Sequence, residues 1–214
     1  VSAGATAPVE RWWQSLLRNT ARHLLLTSVA VSSAALFGIA LAFLVLPHAR
    51  LSAFALSICA LAQTIPSIAL LALMIPVLGI GIWPAMVALF LYALLPIVRA
   101  ALTAMRSIDP VHLNVADALG MNPAEVRRYV LTPMAMPHML AGLRTAAVIS
   151  IGTATLAAFI GAGGLGEPIV TGLALNDTRL ILKGAIPAAI LAILTDLAFD
   201  QLERRLVPAH LRPR

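Results

Sequence analysis

Two long stretches without formal charge constrain the fold of this chain more than any other feature. Residues 51–98 form a run of about 48 positions without Asp, Glu, Lys or Arg, and residues 145–166 form a second such run. Only 11% of the chain is charged, whereas soluble domains average roughly 25%. A soluble fold of 214 residues could not cover its surface with so few charges, so we expect the bilayer to be its main solvent.

Hydrophobic runs long enough for a membrane-spanning helix, about 20 residues, occur five times. The charge-free run of residues 51–98 is too long for one span, and it divides at residues 76–81, where proline and two glycines favour a turn. The predicted spans are Leu24–Leu46, Leu51–Ile75, Trp83–Leu102, Leu143–Ile160 and Gly184–Arg204. The fold class expected from them is an all-α integral membrane protein with five spans.

The spans divide the chain into an N-terminal segment (1–23), a transmembrane domain (24–208) and a C-terminal tail (209–214). Within the first segment, Val9–His23 places two tryptophans among arginines. That composition is typical of a short helix lying at the membrane interface.

The distribution of basic residues predicts the orientation in the cytoplasmic membrane. If the polar stretch near residues 108–142 is cytoplasmic, that side holds ten of the 15 Lys and Arg residues. The other side holds Arg11, Arg18, Arg22, Arg179 and Lys183. Because basic residues are retained inside, we expect the N-terminus out and the C-terminus in. The net charge of +6 then needs no nucleic-acid partner, and no basic cluster interleaved with aromatic residues indicates one.

Asn114–Gly142 is a polar, basic island between the apolar spans. Val115, Ala118 and Leu119 can share one face of a short helix, and Gly120 permits a left-handed stop after it. This pattern predicts a compact helix–turn–helix element at the membrane surface.

A second helix is predicted to begin directly after this stop. Asn122 is a suitable N-cap, Pro123 suits the first helical position, and Glu125 at the third position completes an arrangement like a capping box. From the pattern alone, an ordinary amphipathic surface helix remains open beside a docking element for a partner.

Polar side chains interrupt the second span at Gln63, Thr64 and Ser67, with Pro66 between them. Polar groups in mid-membrane must face a partner helix or a cavity, and the proline can kink the helix. Hydrogen bonding between helices and lining of a pore both remain open. For Thr153 and Thr155 in the fourth span we favour packing, because small residues surround them.

Two further features receive structural interpretations. Asp200 and Arg204 are four residues apart, which predicts an ion pair on one helix face, and Asp196 lies one turn earlier. The glycine-rich stretch Gly161–Gly166 is expected to be a turn outside the membrane, with a contribution to an outer gate as the alternative.

No arrangement of catalytic residues is found in the sequence, so no enzymatic activity is expected of this chain. A phosphate-binding loop and a nucleophile elbow are both missing. His112 and His138 lack ligands at suitable spacing, so no metal site is expected. The single cysteine, Cys59, lies in an apolar run and is interpreted as a buried thiol.

The polar island resembles the cytoplasmic coupling loop of permeases from bacterial binding-protein-dependent ABC importers. Their signature has Glu-Ala-Ala, three residues, Gly, nine residues and Ile-x-Leu-Pro. Here Gly120 matches the signature glycine, and Val130–Pro133 follows nine residues later with its proline in place. The first block, Asn114–Ala116, lacks the glutamate, and Thr132 replaces the leucine.

Other stretches resemble the osmoprotectant type of this family, which carries glycine betaine, choline and carnitine. The similar stretches are 63–72, 91–99, 151–166 and 184–189. The resemblance covers about Leu51 to Pro208. It implies the type I, MetI-like importer fold.

The resemblance also implies a set of partners. An extracytoplasmic solute-binding protein would deliver the substrate, and a second permease subunit, identical or a sister chain, would complete the path. A cytoplasmic ATPase dimer would grip the two coupling loops. ATP and Mg²⁺ would belong to that ATPase, and this chain would hold no cofactor.

Residue roles follow by matching positions. Coupling to the ATPase is expected at Asp117, Ala118, Leu119, Gly120, Met121, Glu125 and Pro133. The translocation path or gate is expected at Gln63, Thr64, Pro66, Ser67 and Tyr92. Two other functions stay open: the same importer with another cargo, such as an amino acid or a thiol-histidine betaine, and an ion-coupled secondary transporter.

Overall fold

The computed structural model describes residues 12–207, and every regular element in that range is a helix. The α-helices are α1 (Trp12–Val45), α2 (Ala49–Thr64), α3 (Ser67–Leu78), α4 (Ile82–Arg106), α5 (Pro110–Ala118), α6 (Pro123–Val126), α7 (Thr132–Ala154), α8 (Gly166–Leu175) and α9 (Thr178–Leu206). A π-helical turn, Arg127–Leu131, joins α6 to α7, and a 3₁₀ turn, Leu156–Ile160, follows α7.

Four helical stretches are long and apolar enough to cross a membrane: α1, α4, the continuous stretch Pro123–Ala154, and α9. The bent pair formed by α2 and α3 provides a fifth crossing if it is counted as one span. The predicted all-α membrane fold is therefore confirmed.

The first helix differs from the predicted division at residue 23. Helix α1 begins at Trp12 and runs to Val45 without a break, so the described part of the N-terminal segment is not a separate helix. Asn19 and His23 are buried, which ties this part of α1 to the rest of the bundle. Residues 9–11 of the predicted interfacial helix lie outside the described range, as does the tail 209–214.

The second predicted span is broken, not kinked. Helices α2 and α3 meet at an angle of 97°. Ile65 is extended, with φ −70° and ψ 126°, because proline disfavours the helical region for the residue before it. Pro66 also lacks the N–H that would continue α2, so the predicted span Leu51–Ile75 is divided between two helices.

The core forms around α4, which packs against α1 on one side and α7 on the other. The approach to α7 is closest at Gly142. A Cβ atom placed there would lie 2.3 Å from Cβ of Ala100 and 2.9 Å from the carbonyl oxygen of Pro96. Small residues permit this close backbone contact where lipid gives no hydrophobic drive for association.

The last helix is longer than predicted and carries two ion pairs. Asp177 caps α9 by accepting from the N–H groups of Arg179 and Leu180. The predicted pair of Asp200 and Arg204 is confirmed at 3.0 Å. Asp196 instead forms a bidentate ion pair with Arg144 of α7. Nε and Nη2 of Arg144 each donate to one carboxylate oxygen of Asp196 at 2.5 Å, and the sequence did not predict this pair.

The glycine-rich stretch forms the expected turn. Gly161, Gly163 and Gly164 all have positive φ, and the turn leads into α8, which the sequence did not predict. Two side chains of α1 hold it: Nε of Arg22 donates to the carbonyl of Ala162 at 3.1 Å, and Nδ1 of His23 accepts from the N–H of Leu165 at 3.3 Å. We call residues 155–177 the glycine end of the molecule, and residues 107–131 the polar end.

Gly142→Ala should destabilise the bundle, because the new methyl group would force α4 and α7 apart. Overpacking of this kind costs about 1–3 kcal/mol. The matched control is Gly152→Ala on the same helix, where a Cβ meets no atom within 4 Å. Removing a helical glycine there should leave stability equal or raise it by up to about 1 kcal/mol. Thermal unfolding in one detergent measures both variants, and a rise in midpoint for both would contradict the packing.

Candidate coupling segment and translocation pocket

The first helix of the polar end is closed by defined caps at both ends. Oδ1 of Asp109 accepts from the N–H of Val111 at 2.9 Å. At the other end, the N–H of Gly120 donates to Asp117 and the N–H of Met121 donates to Ala116, at 2.9 and 3.1 Å. With φ at +71°, Gly120 completes the left-handed stop of a Schellman motif, so the predicted glycine stop is confirmed.

The predicted capping box at the start of α6 is also confirmed. Oδ1 of Asn122 accepts from the N–H groups of Ala124 and Glu125, both at 3.0 Å. In return, Oε2 of Glu125 accepts from the N–H of Asn122 at 2.8 Å. Three N–H groups at the start of the helix are thereby satisfied, which fixes the turn between α5 and α6.

The second helix of the segment continues into the membrane span. Its π-helical turn is closed by Oγ1 of Thr132, which donates to the carbonyl of Arg127 at 2.7 Å. Pro133 lies in the first turn of α7, so no break marks the predicted end of the loop near residue 142. Helix α6, the π-helical turn and α7 therefore form one continuous helical stretch, Pro123–Ala154.

Apolar side chains are exposed on the polar end. Val111, Val115, Leu119 and Tyr129 are all more than half exposed, and they line a groove of about 270 Å³ together with Met121 and Met134. Of the helix α5, only Ala116 is buried. Apolar groups presented outside the bundle on a rigid element indicate a surface for a partner.

The predicted coupling residues are gathered on this element in different ways. Leu119 contributes an exposed side chain to the groove, and Met121 is half-buried at its edge. Asp117 and Ala118 are exposed on α5. Gly120 and Glu125 shape the backbone through the stop and the cap, while Pro133 lies beyond the turn.

All five residues predicted for the translocation path line one pocket. The break between α2 and α3 brings Gln63, Thr64, Pro66, Ser67 and Tyr92 around a cavity of about 320 Å³. Nε2 of Gln63 donates to the carbonyl of Tyr92 at 2.7 Å, and the hydroxyl of Tyr92 donates to the carbonyl of Ile65. The two contacts hold the broken backbone against α4.

Sequence reasoning missed the third wall of this pocket. Ile149 and Thr153 of α7 complete the lining, although packing was favoured for Thr153. Its hydroxyl donates to the carbonyl of Ile149 at 3.0 Å, so it is satisfied within its own helix while facing the cavity. No local pattern could have found it, since α2, α4 and α7 meet only in the folded chain.

One helix links the two candidate sites. Pro133 of the coupling segment and Thr153 of the pocket lie on α7, about 30 Å apart at 1.5 Å per residue. Helix α7 is packed along α4 between these points. The geometry provides a stiff connection from the polar end to the pocket.

Comparison with known proteins agrees with this architecture. Residues 34–209 match the family described as binding-protein-dependent transport system inner membrane component. The fold is similar to that of an inward-facing MetNI methionine ABC transporter, with a TM-score of 0.81, 24% identity, and coverage of 92% of this chain and 98% of that one. An amino acid ABC transporter gives a TM-score of 0.75 at 20% identity, covering 91% and 95%.

Curated relatives match over nearly the whole chain. The permease protein OpuCD of the glycine betaine/carnitine/choline transport system of Bacillus subtilis is 43% identical, covering 90% of this chain and 85% of the relative. The osmoprotectant import permease protein OsmW of Salmonella typhimurium is 41% identical, covering 90% and 92%. The chain therefore belongs to the family of inner-membrane permease subunits of binding-protein-dependent ABC importers, as the coupling-loop resemblance predicted.

Proposed function

We propose that this chain is the transmembrane subunit of an ATP-driven importer for quaternary-amine compatible solutes such as glycine betaine, choline and carnitine. The observation that carries the proposal is the 41–43% identity, over about 90% of the chain, to permeases named for these cargoes. ATP and Mg²⁺ belong to the partner ATPase, and this chain provides the path and the coupling element.

The proposed orientation places the polar end in the cytoplasm, the N-terminus outside and the C-terminus inside. The basic residues of the polar end and of the last turn of α9 support it. The contact of Arg22 with Ala162 supports it as well, since it sets the start of α1 beside the glycine end. The partners are a solute-binding protein at the glycine end, an ATPase dimer at the polar end, and a second permease, either identical or a sister chain.

The coupling role is proposed for the segment formed by α5, the Gly120 turn and α6. Its exposed apolar groove supports contact with the ATPase. The Schellman motif and the capping box keep the segment rigid. A push on the segment is then transmitted along α7 to the pocket, where Thr153 faces the broken helix.

The path role is proposed for the pocket beside the break at Pro66. The broken helix exposes polar side chains at a depth where each needs a partner. Gln63, Thr64 and Ser67 line an open cavity there, which suits the passage of a small polar solute. Chemical recognition is left to the binding protein, because Tyr92 alone cannot form an aromatic cage around an ammonium group.

Proteoliposomes that contain this permease, its ATPase and its binding protein test the proposed cargo. Binding protein loaded with glycine betaine should stimulate ATP hydrolysis severalfold more than binding protein without solute. A stable complex that responds to an amino acid instead would keep the importer and reject the cargo. Failure of the ATPase to associate would reject the importer and favour an ion-coupled carrier.

Gly120→Val should uncouple ATP hydrolysis from transport while the protein still inserts. A Cβ at this position meets no atom within 4 Å, so the effect comes from the backbone. A β-branched residue at φ +71° is strained by about 1–2 kcal/mol or more, which corresponds to about tenfold in coupled transport. Gly120→Asn is the matched control, because asparagine tolerates the left-handed region. Normal substrate-stimulated turnover in the valine variant would refute the coupling assignment.

Tyr92→Phe should slow transport without weakening the complex with the ATPase. The variant loses the hydroxyl that donates to Ile65 at the helix break, a bond with a net contribution of about 1 kcal/mol. That loss corresponds to roughly fivefold in uptake of radiolabelled substrate. Ser57→Ala is the control, since it also removes a hydroxyl that donates to a backbone carbonyl but lies outside the pocket. Equal uptake by both variants would remove Tyr92 from the path.

A further inference from the structure

A pocket at the glycine end takes no part in the roles proposed above. It has a volume of about 360 Å³ and lies between the first turns of α1 and α9, beside the start of α8. Apolar side chains form its wall: Leu16, Leu165, Pro168, Leu180, Ile186 and Pro187. Trp12 stands at its margin and is 66% exposed.

Two cations line the same pocket. Arg179 and Lys183 are one helical turn apart on α9, so they share a face. Within residues 12–207 neither forms an ion pair. The nearest carboxylate in sequence, Asp177, is engaged by the backbone N–H groups of Arg179 and Leu180.

A buried amide adds a neutral donor. Asn19 lines the pocket and is only 8% exposed. Its side chain makes no hydrogen bond to any other residue of the described range 12–207. The amide is therefore available to donate to a polar group that occupies the pocket.

The pocket opens onto an apolar face of α9. Leu182, Ile186, Ile190 and Ile193 are each about half exposed or more, and no element in the described part of the chain covers them. An apolar face of this kind suits contact with lipid. The cations therefore lie where the apolar face ends, and Trp12 lies at the same level, as tryptophans do at the membrane interface.

We propose that this pocket binds an acidic phospholipid. Arg179, Lys183 and Asn19 would hold the phosphate and its anionic headgroup, with charge-assisted bonds from the two cations. One acyl chain would fill the apolar pocket and continue along Ile186 and Ile190. Two uncompensated cations disfavour an ammonium headgroup. An acidic loop of a protein partner would use the cations but not an apolar wall that is continuous with the bilayer surface.

This inference depends on neither the cargo nor the coupling to ATP. It concerns only the full-length chain in a bilayer, so a failure of the importer assignment would leave it standing. Conversely, its own failure would leave the proposed function untouched.

Trp12 provides a direct probe of the pocket. Trp13→Phe with Trp83→Phe removes the other two tryptophans, and the remaining fluorescence then reports on this site. The full-length chain is reconstituted in two series of phosphatidylcholine vesicles. One series contains brominated phosphatidylglycerol and the other contains brominated phosphatidylcholine, over the same range of mole fractions. Since each surface cation contributes about fivefold to acidic-lipid affinity, the acidic lipid should quench Trp12 at a severalfold lower mole fraction.

Charge variants test whether Arg179 and Lys183 provide the preference for acidic lipid. Arg179→Gln with Lys183→Gln should remove the preference, whereas the exchange Arg179→Lys with Lys183→Arg should keep it. The matched control is Arg18→Gln, an exposed arginine of α1 that does not line the pocket. Circular dichroism checks that each variant keeps its helical content. If the double variant is unstable, the single variants Arg179→Gln and Lys183→Gln replace it, and each should lose part of the preference for the acidic lipid.

Four results would overturn the proposal. Equal quenching by both brominated lipids would show no headgroup selectivity. A preference unchanged in both the double and the single Gln variants would place the selectivity elsewhere. Loss of quenching on addition of soluble glycerol phosphate would identify a site for free anions, and loss on addition of the solute-binding protein would identify a protein-docking site.

Discussion

Within a bilayer, every backbone polar group must find its partner inside the protein, and at two departures from regular helix in this structure side chains provide such partners. The break at Ile65 and Pro66 frees a carbonyl, which accepts from the hydroxyl of Tyr92. Gln63 then donates to the carbonyl of Tyr92 itself. The same logic holds at the glycine end, where Arg22 and His23 of α1 bind backbone groups of the turn. Both irregular regions thus depend on contacts between distant parts of the chain.

These contacts lie beside the two cavities for which we propose roles. The broken second span exposes polar side chains to a cavity, and the glycine turn brings α1, α8 and α9 together around a second one. Between them the bundle is held by close packing, most tightly where Gly142 meets Pro96 and Ala100. A stiff centre with irregular ends suits a protein that must transmit movement along its helices.

The ion pair between Arg144 and Asp196 adds a second link between α7 and α9. Isolated charges in a membrane are costly, and pairing offsets part of that cost. Arg144 lies on the helix that carries the coupling segment at one end and Thr153 at the other. The pair therefore ties the helix of the proposed coupling segment to the helix whose first turns line the proposed lipid pocket.

Local chemistry determined much of this molecule from the sequence alone. Charge-free runs predicted the membrane helices, and Gly120, Asn122 and Glu125 predicted the turn and caps of the coupling segment, because capping depends on residues within a few positions of one another. The turn at Gly161–Gly166 and the pair of Asp200 and Arg204 were predicted for the same reason. Only the tertiary structure decided the 97° break of the second span, the continuity of α1 through residue 23, helix α8, the partner of Asp196 and the place of Thr153 in the pocket. Pro66 marks where the second span leaves the helix, but the angle of the break, the partner of Asp196 and the place of Thr153 depend on which distant groups pack together. Residue spacing along one helix carries no information about that packing.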